Sequence, residues 1–409
     1  MGSYLNPGNK GFQESLNSEI YVDKTGLIEK TNEVLDTRQK FLCVSRPRRF
    51  GKSMAADMLA AYYERGEDSA ELFGTLKISK VESYEKNRNQ YDIIKVNMQE
   101  FLSMTHSMDE MLSMLQKYLI FDLTDHFDNV RFRDENNLIQ VMKDIYSKTK
   151  HSFVILIDEW DCLFREYASD TEAQKKYLDF LRAWLKDQSY VALAYMTGIL
   201  PIKKYGSHSA LNMFTEYSMT NPRELAEYFG FTENEVYGLC TEYQMNFEEA
   251  RAWYDGYRLV TRSSAGDTIL SMYSPKSVVD AMLSHTFDTY WNQTETYEAL
   301  KIYIQMNLDG LKDDVIRMLA GESVAVDISG FANDMTTFHC ADDVFSLLIH
   351  LGYLTYDRNT RCVSIPNREV SEVYMTSIKR IEDWGEVMRS VTESRKLLEA
   401  LWNMDSDAV

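Results

Sequence analysis

The chain is poor in the residues that mark several classes of protein. It has only 5 cysteines in 409 residues, and they show no paired spacing. We therefore expect neither a disulfide framework nor a zinc site. The 7 histidines are dispersed as well, without an HExxH pattern. A metal centre built on sulfur or nitrogen ligands is thus not predicted.

Long apolar runs and an excess of basic charge are also missing. No run of about eighteen apolar residues occurs, and the N-terminus lacks the charged and apolar regions of a signal peptide. We therefore expect no membrane insertion and a cytoplasmic location. Lys and Arg number 44 against 63 Asp and Glu, which gives a formal net charge of −19. Because this charge repels phosphates, any direct binding of nucleic acid is expected to be weak and confined to a local patch.

What the chain does contain is a short apolar run that leads into a loop ending in Gly-Lys-Ser. Residues 41–45 are predicted to form a buried strand, and residues 54–63 have helical spacing. A strand, a GKS loop and a helix in this order are typical of a site for nucleotide phosphates. Gly51 lets the backbone approach the phosphates, Lys52 is expected to reach the β- and γ-phosphates, and Ser53 to bind Mg²⁺.

The loop departs from the usual pattern at Arg46, which stands where glycine is usual before the Gly-Lys pair. Arg46 lacks the backbone freedom of glycine, whereas Pro47 adds rigidity by fixing φ. From the residues alone, two interpretations stay open. The segment is either a degenerate phosphate loop or a basic surface turn before an amphipathic helix.

A second motif follows a second apolar run. Residues 153–157 are mostly β-branched and predict a strand that is buried on both faces of a parallel sheet. Asp158 and Glu159 come directly after it, at the end where ligands bind in open α/β sheets. Asp158 is predicted to hold Mg²⁺ through its water shell, and Glu159 to polarise the water that attacks the γ-phosphate. The alternative is that both carboxylates cap the next helix.

A third apolar run, residues 190–196, ends at Thr197 and Gly198. Thr197 fits a sensor position, from which a hydroxyl binds the γ-phosphate or the attacking water. The alternative is a simple turn at the end of a strand. The position of Thr197 on the next predicted strand after the Asp-Glu motif favours the sensor interpretation.

With these motifs the chain resembles the bacterial AAA-ATPase-like family, whose members commonly carry a C-terminal PD-(D/E)xK nuclease-like domain. Trp160 stands where that family usually has tyrosine. The matching segments run in order over nearly the whole chain: YVDKT (21–25), RPRRFGKS (46–53), LIDEWD (156–161), MTGILPI (196–202), WYDGYRL (253–259), YSPKSVVDAM (273–282), YWNQT (290–294), GYLTY (352–356) and IPNREV (365–370).

The resemblance implies that RPRRFGKS is the normal phosphate loop of the family, with ATP and Mg²⁺ as cofactors. It places the following residues at the nucleotide: Arg46, Pro47, Arg48, Arg49, Phe50, Gly51, Lys52, Ser53 and Met54. The nuclease-like domain of the family would begin about where this chain stops. After residue 370 we find no Asp…Glu-x-Lys pattern of the kind a two-carboxylate metal site requires, and we expect no nuclease chemistry.

The predicted fold class is α/β: a P-loop NTPase with a mostly parallel sheet flanked by helices, then a helical lid region and a winged-helix-like C-terminal unit. The predicted domains are an N-terminal prefix packed on the core (1–40), the ATPase core (41–220), the lid region (221–335) and the C-terminal region (336–409). The C-terminal unit is predicted from a helix followed by a hairpin. Its helix carries Asp342 and Asp343 and little positive charge, which argues against DNA binding.

The predicted function is Mg²⁺-dependent ATP binding and hydrolysis coupled to a conformational change. The alternative is a nucleotide-operated switch or binding module that hydrolyses slowly and regulates a nuclease-like or other protein partner. Glu159 favours hydrolysis, because a pure switch needs no water-polarising carboxylate. A small-molecule P-loop kinase is a weaker third interpretation, which the helical second half disfavours. Neither the partner nor the oligomeric state follows from the residues.

Overall fold

A computed structural model of the chain describes residues 2–202, 211–263, 266–291, 300, 306, 308–331 and 338–379. Part of the YWNQT segment (292–294) and residues 380–409 of the predicted C-terminal region lie outside the described residues. The chain divides into two compact units, of which the first contains Met1–Phe229 and the second begins at Gly230. The boundaries of the four domains expected from the sequence stay predictions.

The first unit is built on a five-stranded sheet whose strands are all parallel. Its strands are β1 (Phe41–Ser45), β2 (Asp92–Asn97), β3 (Phe153–Asp158), β4 (Val191–Gly198) and β5 (Thr215–Tyr217). Their order in the sheet is β2-β3-β4-β1-β5. Every residue of β1, β3 and β4 is buried, as expected for strands covered on both faces. The predicted α/β class with a parallel sheet is confirmed.

Helices follow or precede these strands along the chain. The helices of the first unit are Lys10–Leu16, Gly26–Val34, Lys52–Tyr63, Ala70–Phe73, Tyr84–Asn87, Met98–Ser103, Met108–His126, Leu138–Thr149, Cys162–Glu166 and Thr171–Leu185, with 3-10 helices at Lys77–Lys80 and Arg223–Tyr228. Side-chain caps set several of the starts. Asn137, for example, accepts a hydrogen bond from the backbone N–H of Gln140 and so begins the helix at Leu138.

The N-terminal segment packs against the β2 edge of the sheet. Leu5 forms an antiparallel bridge with Ile94. The Asn6 side chain donates to Asp92 at 3.1 Å and accepts from the backbone N–H of Ile93 at 2.7 Å. These contacts occupy polar groups of an edge strand that would otherwise be open to pairing.

The second unit contains two three-stranded antiparallel sheets. One has the order β6-β8-β7 and the other β10-β11-β9. The strands are β6 (Phe231–Thr232), β7 (Tyr257–Ser263), β8 (Gly266–Tyr273), β9 (Val324–Ala325), β10 (Thr355–Asp357) and β11 (Cys362–Ser364). The helices are Glu233–Glu242, Phe247–Tyr254, Pro275–Ser284, Leu311–Leu319, Ala341–Leu351 and Arg368–Lys379, with a 3-10 helix at Leu308–Gly310.

Two predictions from the sequence, a helical lid and a helix followed by a hairpin, concern this unit. The region expected to be a helical lid also contains the long hairpin of β7 and β8. The sequence signal for this hairpin is an alternation of buried and exposed residues in β7: Tyr257 and Leu259 are buried, and Arg258 is exposed. The helix followed by a hairpin is confirmed as Ala341–Leu351 with β10 and β11.

Among all described residues, no helix is both long and apolar enough to cross a membrane.

Candidate functional site

The loop between β1 and the helix Lys52–Tyr63 has the backbone of a phosphate-binding turn. Arg49 and Gly51 have positive φ angles of 68° and 86°. Among the described atoms nothing lies within 4 Å of a Cβ built on Gly51, so its φ and not crowding requires glycine. The helix begins at Lys52, and its first backbone N–H groups have no partners within the helix. A helix start of this kind favours an anion.

Lys52 lies folded over this loop. Its ammonium donates to the backbone carbonyls of Arg46 at 3.1 Å and Pro47 at 2.9 Å. Burial lowers the pKa of Lys52, and the nearby carboxylates, Glu159 first and Asp158 next, oppose that shift. An ammonium has three donors, and two of them are used by these carbonyls. The geometry therefore leaves one N–H for a phosphate oxygen.

Asp158 connects the loop to the sheet. One carboxylate oxygen accepts a hydrogen bond from the Ser53 hydroxyl at 2.6 Å. The other accepts from the backbone N–H of Glu159 at 3.0 Å and from the Thr197 hydroxyl. The Asp158 side chain is buried, whereas Ser53 is exposed at the start of the helix. Ser53, Asp158 and Thr197, which were predicted from three separate motifs, thus meet at one point.

The order of the strands explains this meeting. β4 lies between β1 and β3, and its register pairs Thr197 with Val44 of β1. On its other side Met196 pairs with Ile157, directly before Asp158. Because the strands are parallel, their carboxyl ends share one edge of the sheet, where ligands bind in such folds. A phosphate loop beside this edge makes the unit a P-loop NTPase fold.

The donor set at this point fits Mg²⁺. Ser53 and Asp158 offer oxygen ligands, which Mg²⁺ prefers, and Mg²⁺ ordinarily fills its other positions with water and phosphate oxygens. Within the described ranges, no group of three or more His, Cys, Asp or Glu side chains could hold a metal ion. A pair of protein oxygens suits a metal that is bound together with a nucleotide.

Glu159 follows Asp158 on a strained backbone. Its φ is 53°, in the left-handed region that non-glycine residues enter at a cost of about 1–3 kcal/mol. Its side chain is 23% exposed, and one carboxylate oxygen accepts a hydrogen bond from Arg165. Sequence reasoning missed Arg165, because a single basic residue in a short helix carries no spacing signal.

Asp161 also ends up beside this site, but in a different role. Its side chain is fully buried, and one carboxylate oxygen accepts from the backbone N–H groups of Ile199 at 3.0 Å and Leu200 at 2.8 Å. A Cβ on Gly198 would lie 2.6 Å from its other carboxylate oxygen, so only glycine fits there. Asp161 therefore anchors the backbone after Thr197, whereas the Glu159 side chain is partly exposed.

The arginines of the loop do not form one basic cluster. Arg46 is fully buried, and its guanidinium donates to the carbonyls of Ser45 at 2.8 Å and Tyr217 at 2.7 Å. The guanidinium carbon also lies 5.5 Å from the centroid of the Phe229 ring. Burial lowers the pKa of Arg46 to about 10. The Arg46 side chain thus belongs to the core, and its contribution to the loop is the carbonyl that Lys52 binds.

The remaining loop residues differ in exposure. Pro47 and Phe50 are buried, Arg48 and Met54 are exposed, and Arg49 is half-buried. Their contact with a nucleotide stays a prediction.

The chain is similar in sequence or in structure to several known proteins. A curated relative, an uncharacterized protein in the vnfD 5′ region of Azotobacter chroococcum mcd 1, is 24% identical over 291 residues, and the match covers 68% of this chain and 51% of the relative. The chain thus spans about half the length of that relative. A solved Walker-type ATPase of Pyrococcus abyssi aligns with 13% identity and a TM-score of 0.43, covering 86% of this chain and 94% of its own.

A second solved structure, the ORC2 protein of Aeropyrum pernix in ADPNP-ADP complexes, aligns with 8% identity and a TM-score of 0.39, over 94% of this chain and 98% of its own. The model of the AAA-ATPase-like family, described as predicted AAA-ATPase, matches residues 8–207. This range contains the phosphate loop, Asp158, Glu159 and Thr197. Over residues 8–207 the chain therefore belongs to the AAA-ATPase-like family.

Proposed function

We propose that the chain binds ATP together with Mg²⁺ and hydrolyses it. One observation carries the proposal: the hydroxyls of Ser53 and Thr197 both donate to Asp158, beside the start of the helix Lys52–Tyr63, which has no side-chain cap among the described residues. Hydroxyls, a carboxylate and backbone N–H groups at one sheet edge are the parts that phosphoryl transfer to water requires. The family match over residues 8–207 supports the same conclusion.

The phosphate loop would hold the triphosphate. The first N–H groups of the helix Lys52–Tyr63 face a negative charge favourably, and the Lys52 ammonium adds a positive charge at the same loop. Because Lys52 is buried and fixed by two carbonyls, it loses little side-chain freedom when a phosphate arrives. Gly51 keeps the backbone open to close approach.

Ser53 and Asp158 are the residues that would hold Mg²⁺. When bound, the metal neutralises negative charge on the phosphate oxygens as the terminal phosphoryl group is transferred. The hydrogen bond of 2.6 Å between the two side chains keeps both oxygens on the same side of the loop.

Glu159 and Thr197 would act on the attacking water. The Glu159 carboxylate orients and polarises that water, and the Thr197 hydroxyl, which donates to Asp158, can accept a hydrogen bond from it. Binding of the γ-phosphate by Thr197 would require the hydroxyl to turn away from Asp158. Thr197 is completely buried in β4, and its hydroxyl points at Asp158, so its position relative to the metal ligands is fixed. Such fixed groups lower the barrier because they need no rearrangement during the reaction.

We further propose that hydrolysis changes a surface presented to a protein partner in the cytoplasm. A switch that hydrolyses slowly and regulates a nuclease-like or other partner remains the second candidate. The protein partner is part of the proposal as well, because the chain spans only about half the length of its curated relative. Direct contact with nucleic acid is expected to be weak because of the net charge of −19.

The test is steady-state ATP hydrolysis by the purified chain, with Mg²⁺ and with a chelator, over a range of protein concentrations. We expect Mg²⁺-dependent turnover. Lys52→Ala should abolish or severely weaken binding of a non-hydrolysable ATP analogue in calorimetry. Glu159→Gln should bind the analogue like wild type and lose turnover by about 10²–10⁴-fold, because the amide cannot polarise water.

Glu166→Gln is the matched control, since Glu166 is an exposed glutamate on the neighbouring helix. It should behave like wild type in both measurements. Wild-type affinity in Lys52→Ala would reject the assignment of the phosphate loop. Turnover by Glu159→Gln within a few-fold of wild type would reject the role of Glu159.

A further inference from the structure

Arg165 contacts both carboxylates that flank Trp160. It lies in the short helix Cys162–Glu166, and its side chain is only 10% exposed. One guanidinium nitrogen donates to Oε2 of Glu159. Its Nε lies 3.7 Å from Oδ2 of Asp161. A nearly buried cation between two carboxylates is held in place by both of them.

Asp161 is itself fixed, so Arg165 is not a mobile partner. The Asp161 oxygen nearest to Arg165 accepts the backbone N–H groups of Ile199 and Leu200. These two residues follow Thr197 on the chain after β4. A continuous set of contacts therefore runs from Glu159 through Arg165 and Asp161 to the backbone just beyond the sensor threonine.

Glu159 is held in a position that faces the phosphate loop. Arg165 binds only Oε2, and the Glu159 side chain keeps 23% of its surface exposed. Burial lowers the pKa of Lys52, and the Glu159 carboxylate opposes that shift. The carboxylate that Arg165 holds thus lies close to the cation of the phosphate loop. The backbone at Glu159 is left-handed, with φ of 53°, which is a strained conformation. The hydrogen bond from Arg165 therefore holds a side chain that projects from a strained turn.

We propose that Arg165 is a positioning residue for ATP hydrolysis: it holds Oε2 of Glu159 so that Oε1 faces the attacking water. The inference rests on the proposed function. The hydrogen bond from the guanidinium fixes the Glu159 carboxylate in one orientation. Misplacing a catalytic group by about 1 Å costs about 10²-fold in rate, so the orientation that Arg165 sets matters for the chemical step.

The role of Arg165 extends to Thr197 through Asp161. Because Asp161 holds the backbone after β4, the orientation of Glu159 and the place of the Thr197 hydroxyl are set by one connected group of side chains. A change at Arg165 should therefore affect the chemical step and leave the binding of ATP, which depends on the phosphate loop, nearly intact.

The experiment compares Arg165→Met, Arg165→Lys and the matched control Arg88→Met. Arg88 also bridges two carboxylates, Asp68 and Glu85, but it lies outside the site. We expect Arg165→Met to lower kcat by about 10- to 100-fold with KM for ATP unchanged within about three-fold. Arg165→Lys should give an intermediate kcat, because one ammonium cannot span both carboxylates. Arg88→Met should match wild type.

Two further measurements separate positioning from a structural role. Thermal melting should show that the variants fold. Arg165→Met added to Glu159→Gln should cause no further loss of kcat, since the group that Arg165 positions is already inactive. A kcat of Arg165→Met equal to or above that of wild type would overturn the proposal, as would a raised KM with unchanged kcat.

If Arg165→Met does not fold, Arg165→Lys decides the question, and an unchanged kcat in that variant overturns the inference. Wild-type chain without ATP turnover would instead reject the proposed function. The two failures are therefore distinguishable in the same set of assays.

Discussion

Gly198 offers a sharp test of the packing that supports the site. It is the last residue of β4, directly after Thr197. A Cβ added there would lie 2.6 Å from a carboxylate oxygen of Asp161 and 2.7 Å from two atoms of the Trp160 ring. Ordinary contact begins at about 3.4 Å, so both neighbours would have to move by several tenths of an ångström in Gly198→Ala.

Neither neighbour can move easily. Trp160 and Asp161 are both completely buried, and Asp161 is held by the backbone N–H groups of Ile199 and Leu200. Overpacking of this kind costs about 1–3 kcal/mol. For a unit of this size one kcal/mol lowers Tm by about 2–4 °C, so Gly198→Ala should lose about 2–12 °C. It should also lower ATP turnover, because the displaced Asp161 supports Arg165 and the segment after Thr197.

Differential scanning calorimetry measures the first effect, and steady-state ATP hydrolysis the second. Gly238→Ala is the matched control, because a Cβ at Gly238 meets no described atom within 4 Å. Gly238 lies inside the helix Glu233–Glu242, where alanine should stabilise by about 0.5–1 kcal/mol. A Tm for Gly198→Ala within about 1 °C of wild type would refute the packing argument.

Two other predictions concern pH and nucleic acid. Burial raises the pKa of Glu64 from its ordinary 4.5 to about 7, so the folded state binds more protons than the unfolded chain between these values and stability falls as pH rises through them. The Tm of Glu64→Gln relative to that of wild type should therefore rise from pH 5 to pH 8. A difference in Tm between the two proteins that stays constant over this range would contradict the prediction. We also expect no cleavage of DNA or RNA by this chain with Mg²⁺ or Mn²⁺, and only weak, salt-sensitive binding in gel-shift titrations. Cleavage that disappears in Glu159→Gln would mean that the carboxylate pair is misassigned.

Much of the first unit could be predicted because its signals are local. The apolar runs at β1, β3 and β4 are long enough to indicate buried strands, and the GKS loop needs only its own neighbours to form. Asp158 and Thr197 were predicted for the same reason, since a polar residue directly after a buried strand must lie at the end of the sheet. The start of a helix such as Leu138–Thr149 is set by a cap, here Asn137, and not by apolar spacing alone.

The hairpin of β7 and β8 was less visible in the sequence. Its alternation begins at Tyr257, only two residues after the helix Phe247–Tyr254 ends. The two strands stabilise each other by pairing from Tyr257–Met272 to Ser263–Gly266, and such pairing is not encoded in either strand alone.

The sequence by itself determined which segments become strands, which loop can bind phosphate and which polar residues end those strands. Tertiary structure alone decided the strand order, with β4 between β1 and β3, and hence that Thr197 reaches Asp158. It also decided that Arg46 turns into the core toward Tyr217, and that Asp161 faces Ile199 while Glu159 faces the loop. The physical reason is distance along the chain: each of these contacts joins segments that are far apart in sequence, and burial and hydrogen bonding select among them only when the sheet has formed.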